Sequence, residues 1–281
     1  MITTSSIADR GALTRNRDRA RRQGAALFLH DEAAGEIQER LSEVNRTFTS
    51  IAVVSGFPEF WQARFPAARV VPDAEILDLE PGRHDLVIHA LSLHWADDPV
   101  GQLIQCRRAL RPDGLFLGAL FGGRTLMELR AALAEAESRI AGGLSPRVLP
   151  MAEIRELGGL LQRAGFALPV ADSLRRTVSY STLFRLIADL RAMGEGNALA
   201  ARPRRFARRA LFAEAARIYA ETFPEGRDRI RASFEIIFLT GWAPDESQPR
   251  PLRPGSAAAR LADALGTKET PLPDKPDPRI R

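Results

Sequence analysis

The sequence predicts an α/β fold, a mostly parallel sheet with helices on both faces. Two observations carry this. Short apolar runs alternate with segments of helical periodicity, the order that builds a parallel sheet. One run, Leu115 to Phe121, is apolar without a break, as strands buried on both faces are.

The elements follow in order. Residues 8–46 read as helix, with Ala33, Ile37, Leu41 and Val44 at helical spacing. Ile51 to Val54 is a buried strand ending at Gly56, and Phe57 to Phe65 a brief helix. Arg69 to Val71 is a second strand, stopped by Pro72, and Asp85 to Ala90 a third. Asp98 is a good N-cap and Pro99 suits the first helical position, where its missing N–H costs nothing, so a helix carrying Leu103, Cys106 and Leu110 begins there. Arg111 to Gly114 is a turn into the Leu115–Phe121 strand. Leu126 to Ile140 reads as helix up to Gly142-Gly143, and Ile154 to Leu161 as another, closed by Gly165. Residues 166–178 are extended, 183–190 and 206–223 helical, and 232–242 a strand by the alternation of Phe234, Ile236 and Phe238. From Ala243 onward eight of 39 residues are proline, so this tail is expected to be extended or disordered. The expected organisation is an N-terminal helical segment at 1–48, an α/β domain at 49–242 with a helical insert at about 181–224, and the tail at 243–281.

A chain of 281 residues can bury a sizeable core. No apolar run reaches the roughly 18 residues of a membrane span, and the first ten residues lack a signal pattern. The expected location is cytoplasmic, and peripheral membrane association stays open. Cys106 is the sole cysteine, which excludes an intrachain disulfide and a cysteine-based zinc site. His84, His89 and His94 lack metal-ligand spacing, and no nucleophile triad or carboxylate pair emerges, so no metal is expected.

The net charge is +5, and all but Lys268 and Lys275 of the 40 basic residues are arginine. Two clusters stand out: Arg15, Arg17, Arg19, Arg21 and Arg22, then Arg202, Arg204, Arg205, Arg208 and Arg209. Neither is interleaved with aromatics as nucleic-acid-binding segments are. Solvated helix faces or contacts to an acidic partner fit them better than specific nucleic acid.

Ligands of parallel sheets bind outside the carboxyl ends of the strands, which directs attention to 55–57, 89–95 and 120–124. Ser92-Leu93-His94-Trp95-Ala96-Asp97-Asp98 and Arg111-Pro112-Asp113-Gly114-Leu115-Phe116 resemble segments of class I S-adenosylmethionine-dependent methyltransferases, including the malonyl carrier-protein methyltransferase of biotin synthesis. Residues 118–126, Met193-Gly194-Glu195-Gly196-Asn197, Gly241-Trp242 and Glu246 to Pro251 resemble the complex I assembly factor 5 group specifically, as does the opening Arg17–Arg22. The resemblance spans roughly residues 10–260. It implies a Rossmann-like methyltransferase sheet with an antiparallel last strand, binding of S-adenosylmethionine, and a protein partner among complex I subunits. One branch of that group is implicated in hydroxylating an arginine of such a subunit.

The chain departs from the family at the cofactor. The first strand should lead into an acidic residue and a Gly-x-Gly-x-Gly loop, whose glycines let the backbone approach the cofactor closely. Here the stretch is Ser55-Gly56-Phe57-Pro58, with one glycine, added bulk and one donor fewer. Only 28 residues separate Gly56 from Asp85, where about 45 are needed, so one βα unit is missing; the second strand with its helix is the expected loss. Asp73 is then either the adenine-side acid or a replacement ribose partner.

The candidate cofactor contacts are Ser55, Gly56, Asp73, His94 and Trp95; the candidate cleft is Phe121, Gly122, Gly123, Arg124 and Glu195. Each has a plainer reading: a local cap for His94-Trp95, a tight turn for Gly122-Gly123, a surface arginine for Arg124, a helix-end loop for Glu195. Three functions stand side by side: a degenerate methyltransferase fold acting in assembly through protein contacts; an active methyltransferase or arginine-modifying enzyme; and an RNA-associated protein.

Overall fold

The computed structural model describes residues 6–249 and 261–268. The chain forms two units, Met1–Asp245 and Glu246–Arg281. The first holds a six-stranded sheet of β1 (Ile51–Ser55), β2 (Arg69–Pro72), β3 (His84–Ala90), β4 (Leu110–Phe121), β5 (Ala167–Tyr180) and β6 (Ile230–Trp242). Their spatial order is β2-β1-β3-β4-β6-β5. The first four run parallel, and β6 is antiparallel to both β4 and β5. This is the predicted class, with its antiparallel last strand.

The sheet has six strands, in keeping with the loss of one βα unit, but the expected loss of the second strand leaves no gap beside β1. β2 pairs directly with β1, Ala52 opposite Arg69 and Ser55 opposite Pro72. In a doubly wound sheet of order 3-2-1-4-5-6 the strand beside the first is the second. The vacant position is therefore that of the outer third strand. Asp73 follows β2 directly.

The helices are α1 (Arg10–Gln23), α2 (Phe28–Glu43), α3 (Pro58–Arg64), α4 (Pro99–Ala109), α5 (Met127–Ala141), α6 (Ile154–Arg163), α7 (Leu183–Ala192), α8 (Arg209–Thr222) and, in the second unit, the short α9 (Leu261–Ala264). The single helix expected over 8–46 is two, because Gly24 takes φ +84° and ends α1. Asp98 caps α4 as predicted, its Oδ1 accepting from Gly101 N at 2.8 Å. The Arg111–Gly114 turn lies within β4: His84 pairs with Leu110 and Leu86 with Leu115, so the turn bulges from the ladder. α8 starts three residues later than the periodicity suggested. The tail expected to lack structure carries α9, and the rest of it beyond 249 falls outside the described residues apart from 265–268.

Core packs on both sheet faces. Val53, Leu86 and Ile88 meet α2, α5, α7 and α8, whereas Val54, Val87 and Phe116 meet α4 and α6 through Leu103, Cys106, Leu157 and Leu161. Cys106 is buried, as its helical position implied.

Candidate functional site

Parallel strands bring their carboxyl ends to one edge, so Ser55-Gly56 after β1, Asp73 after β2, the 3-10 turn Leu93–Trp95 after β3 and Phe121 at the end of β4 share that edge. What lies over the β1 end is the chain's own arginine. Arg17 Nη1 donates to both carboxylate oxygens of Asp73, at 2.8 and 2.9 Å, and both side chains are buried. A Cβ on Gly56 would fall 2.5 Å from Arg17 Nη1. The one surviving glycine of the loop therefore makes room for a guanidinium. Arg17 Nε has no hydrogen-bond partner. Arg10 Nη2 donates to the Asp73 carbonyl, and Arg21 to the Gly56 carbonyl at 2.6 Å. Ser55 Oγ accepts from Phe57 N at 3.1 Å and so closes its own turn.

The first arginine cluster is thus not simply a solvated face. Leu13, Arg17 and Ala20 are buried on one side of α1, at spacings of four and three. That spacing was visible in the sequence and is the signal by which Arg17 could have been found.

Phe57 is buried beneath this arrangement, 5.2 Å from the His30 ring, with Arg21 Cζ 5.3 Å from its own ring centre. His30 was not singled out by sequence reasoning. It accepts from Trp61 Nε1 at 3.1 Å, and burial lowers its pKa to about 3, so it stands neutral. Gly194 has φ +78°, and a Cβ on it would lie 2.9 Å from Phe57 Cζ and 3.2 Å from the Arg17 backbone. The Met193–Asn197 segment therefore closes onto Arg17 and Phe57, and only glycine permits the approach. Asn16 donates to the Gly196 carbonyl at 3.0 Å and Asp9 N to the Ala198 carbonyl at 2.7 Å, which ties α1 to this segment.

Glu195 points inward. Its carboxylate accepts from Trp95 Nε1 at 2.7 Å, and His94 Nε2 stands 3.5 Å away, within ion-pair range but beyond hydrogen-bonding geometry. Burial pushes the Glu195 carboxyl up; His94, Arg17 and the Trp95 bond outweigh it, and the net direction is down. Neither ring nitrogen of His94 has a hydrogen-bond partner, and its ring lies 4.9 Å from that of Phe121. Beside them opens a cavity of about 200 Å³ between α5, α7 and α8. Its walls are mostly apolar (Leu129, Leu133, Ile187, Phe212, Phe234), and Trp95, Phe121 and Glu195 line it together.

The remaining candidates stand apart from that cavity. A Cβ on Gly122 would meet Ile237 Cδ1 at 2.5 Å, and one on Gly123 would run into the Glu153 carboxylate. Neighbouring side chains account for both glycines. Arg124 is exposed, and its backbone N–H donates to Glu235 at 3.1 Å.

A methyltransferase domain model matches residues 33–118. The chain is 32% identical to the human arginine-hydroxylase NDUFAF5, covering 92% of this chain and 84% of that protein. The chain belongs to the NDUFAF5 family. It is 41% identical to the Dictyostelium discoideum member over 69% of its own length, and spans 44% of that longer relative. The chain is also similar to the malonyl-[acyl-carrier protein] O-methyltransferase of Xylella fastidiosa, 35% identical over 64% of this chain and 58% of that enzyme. A crystal structure of a putative methyltransferase from Bacillus halodurans superposes with a TM-score of 0.48 at 13% identity, over 74% of this chain and 98% of that one.

The methyltransferase fold raises the question of S-adenosylmethionine. As arranged, the β1 loop does not fit it: the approach to Gly56 holds the Arg17 guanidinium, and the Asp73 carboxylate is bonded twice to the same group.

Proposed function

We propose that this NDUFAF5-family protein acts through protein contacts, in assembly or maturation of a respiratory-complex-type partner, with S-adenosylmethionine binding reduced or lost. The observation that carries the reading is Arg17, buried over Gly56 and paired with Asp73. A cofactor would have to displace a buried ion pair, and separating one from its partner costs about 3–5 kcal/mol. The partner surface is the cleft at the strand ends, where Trp95, Phe121 and Glu195 line the apolar cavity. A cytoplasmic location belongs to the same reading; among the described residues no helix is long and apolar enough to cross a membrane.

A second reading, an active methyltransferase or arginine-modifying enzyme, draws on the relatives' names and on the inward Glu195 carboxylate beside the unpartnered His94. Calorimetric titration of the full chain with S-adenosylmethionine separates the two. The first expects a constant weaker than micromolar, less favourable than about −8 kcal/mol. Micromolar or tighter binding overturns it in favour of the second.

A further inference from the structure

β5 ends the strand order, with β6 on one side and, among the described residues, no strand on the other. It is 14 residues long, more than twice the usual length of a strand. An edge of that length presents a row of unpaired amide and carbonyl groups. Its side chains alternate between the two faces. Leu174 and Val178 pack on the core shared with α2, α7 and α8, so Val170, Asp172 and Arg176 belong to that same face. Val170 is 55% exposed there. Arg40 of α2 holds Asp172 at 2.5 Å, and Glu32 of α2 holds Arg176.

Two copies can join such edges antiparallel about a two-fold axis normal to the sheet. Opposed residues then lie on one face, which places the axis at a residue position. With the axis at Leu174, Val170 meets the partner's Val178 and Asp172 meets the partner's Arg176, each twice by symmetry. On the other face Ala171 meets the partner's Thr177 and Ser173 the partner's Arg175. No like charges are opposed. An axis at Asp172, Arg175 or Arg176 sets that charge against itself, and one at Ser173 leaves Asp172 and Arg176 against apolar residues. Only the Leu174 axis makes charge alternate across the seam: Arg40, Asp172, the partner's Arg176, the partner's Glu32.

We propose that β5 is the seam of a homodimer in which two copies of the sheet become one, with Leu174 on the two-fold axis. Opposed charges and opposed β-branched side chains both favour this register. The symmetry uses both β5 edges at once, so the assembly closes at two copies. Charged side chains on an edge ordinarily repel a foreign strand. Here Asp172 and Arg176 are matched to the same strand of a second copy, which makes them selective for it. The proposal is independent of the cofactor question.

The test is sedimentation equilibrium of the full chain. Wild type is expected to show twice the monomer mass at micromolar concentration. Asp172→Arg and Arg176→Asp each oppose like charges in their own homodimers and are expected to weaken association at least tenfold. Mixed in equal amounts, the two variants restore both opposite-charge pairs, and the mixture is expected to regain the dimer. Leu174→Cys is expected to give a disulfide-linked dimer on mild oxidation, because opposed residues of antiparallel strands stand about 4.5–5.5 Å apart at Cα, within disulfide reach. The native Cys106 is buried and stays out of that reaction. This variant leaves every charge in place and reads the register even if the charge variants unfold. A monomeric wild type, folded charge variants whose mixture stays monomeric, or absence of the crosslink overturns the proposal. So does a dimer that neither charge variant weakens, since its interface then lies elsewhere.

Discussion

Arg17 and Asp73 lie 56 residues apart in sequence and share two charge-assisted hydrogen bonds over the carboxyl end of β1. Removing one partner of a buried pair leaves the other uncompensated. Arg17→Met is expected to cost about 3 kcal/mol, the low end of the usual range, because Arg10 remains 3.5 Å from Asp73. R17M/D73N should recover part of that loss. Urea unfolding of the two single variants and the double variant gives the coupling, and strict additivity would mean that the pair contributes nothing.

Glu195 separates a working cleft from a packed one. Glu195→Ala strands the Trp95 indole N–H and should cost about 1–3 kcal/mol of stability. Glu195→Gln keeps an acceptor and the volume, so it should stay within about 1 kcal/mol of wild type. A disproportionate loss of partner binding or assembly by Glu195→Gln, against unchanged unfolding, identifies the carboxylate as functional. If function follows stability in both variants, the residue only holds the Met193–Asn197 segment in place.

The apolar cavity invites a third measurement. Ile187 is one of its walls. Ile187→Phe should fill part of it, leaving stability unchanged or up to about 1 kcal/mol higher. Indole, a small apolar probe, should raise the melting temperature of the wild type and not of the variant. No response in either protein would mean that the cavity does not admit ligands.

His30 makes stability depend on pH. Its folded pKa is lowered to about 3 by burial, from an ordinary value of 6.5. Between these the unfolded chain binds a proton that the folded chain does not, so stability is complete above about pH 6.5 and is lost as pH falls towards 3. The slope is about 1.4 kcal/mol per pH unit for one such group. His89, lowered in the same direction by burial, adds to it. His30→Gln should flatten the profile of urea midpoints between pH 7 and pH 5, and an unchanged slope there would refute the assignment.

Much of this was legible in the sequence because it is written in local pattern. The apolar Leu115–Phe121 run and the Asp98-Pro99 cap each carry their meaning within a few residues, and the structure keeps both. Arg17 was not legible as a ligand of Asp73, since that pairing depends on how α1 crosses the sheet end. The surroundings of Gly122 and Gly123 were hidden for a related reason. Their need for space comes from Ile237 and Glu153, distant in sequence and adjacent only after folding. The location of the missing strand was likewise a matter of pairing: spacing revealed that a unit was absent, and only the register of β2 on β1 fixed which position is vacant.

That vacancy makes β2 the outer boundary of the sheet. A border strand offers unpaired amide and carbonyl groups to any passing chain and is a template for self-association. β2 offers very little: it is four residues long, its last residue Pro72 has no amide hydrogen, and Arg69 at its start is engaged by Asp78 and Glu80. A sheet margin this short and this engaged resists pairing with another chain. Lengthening β2, or replacing Pro72 with a β-branched residue, would remove the safeguard and favour strand exchange between molecules.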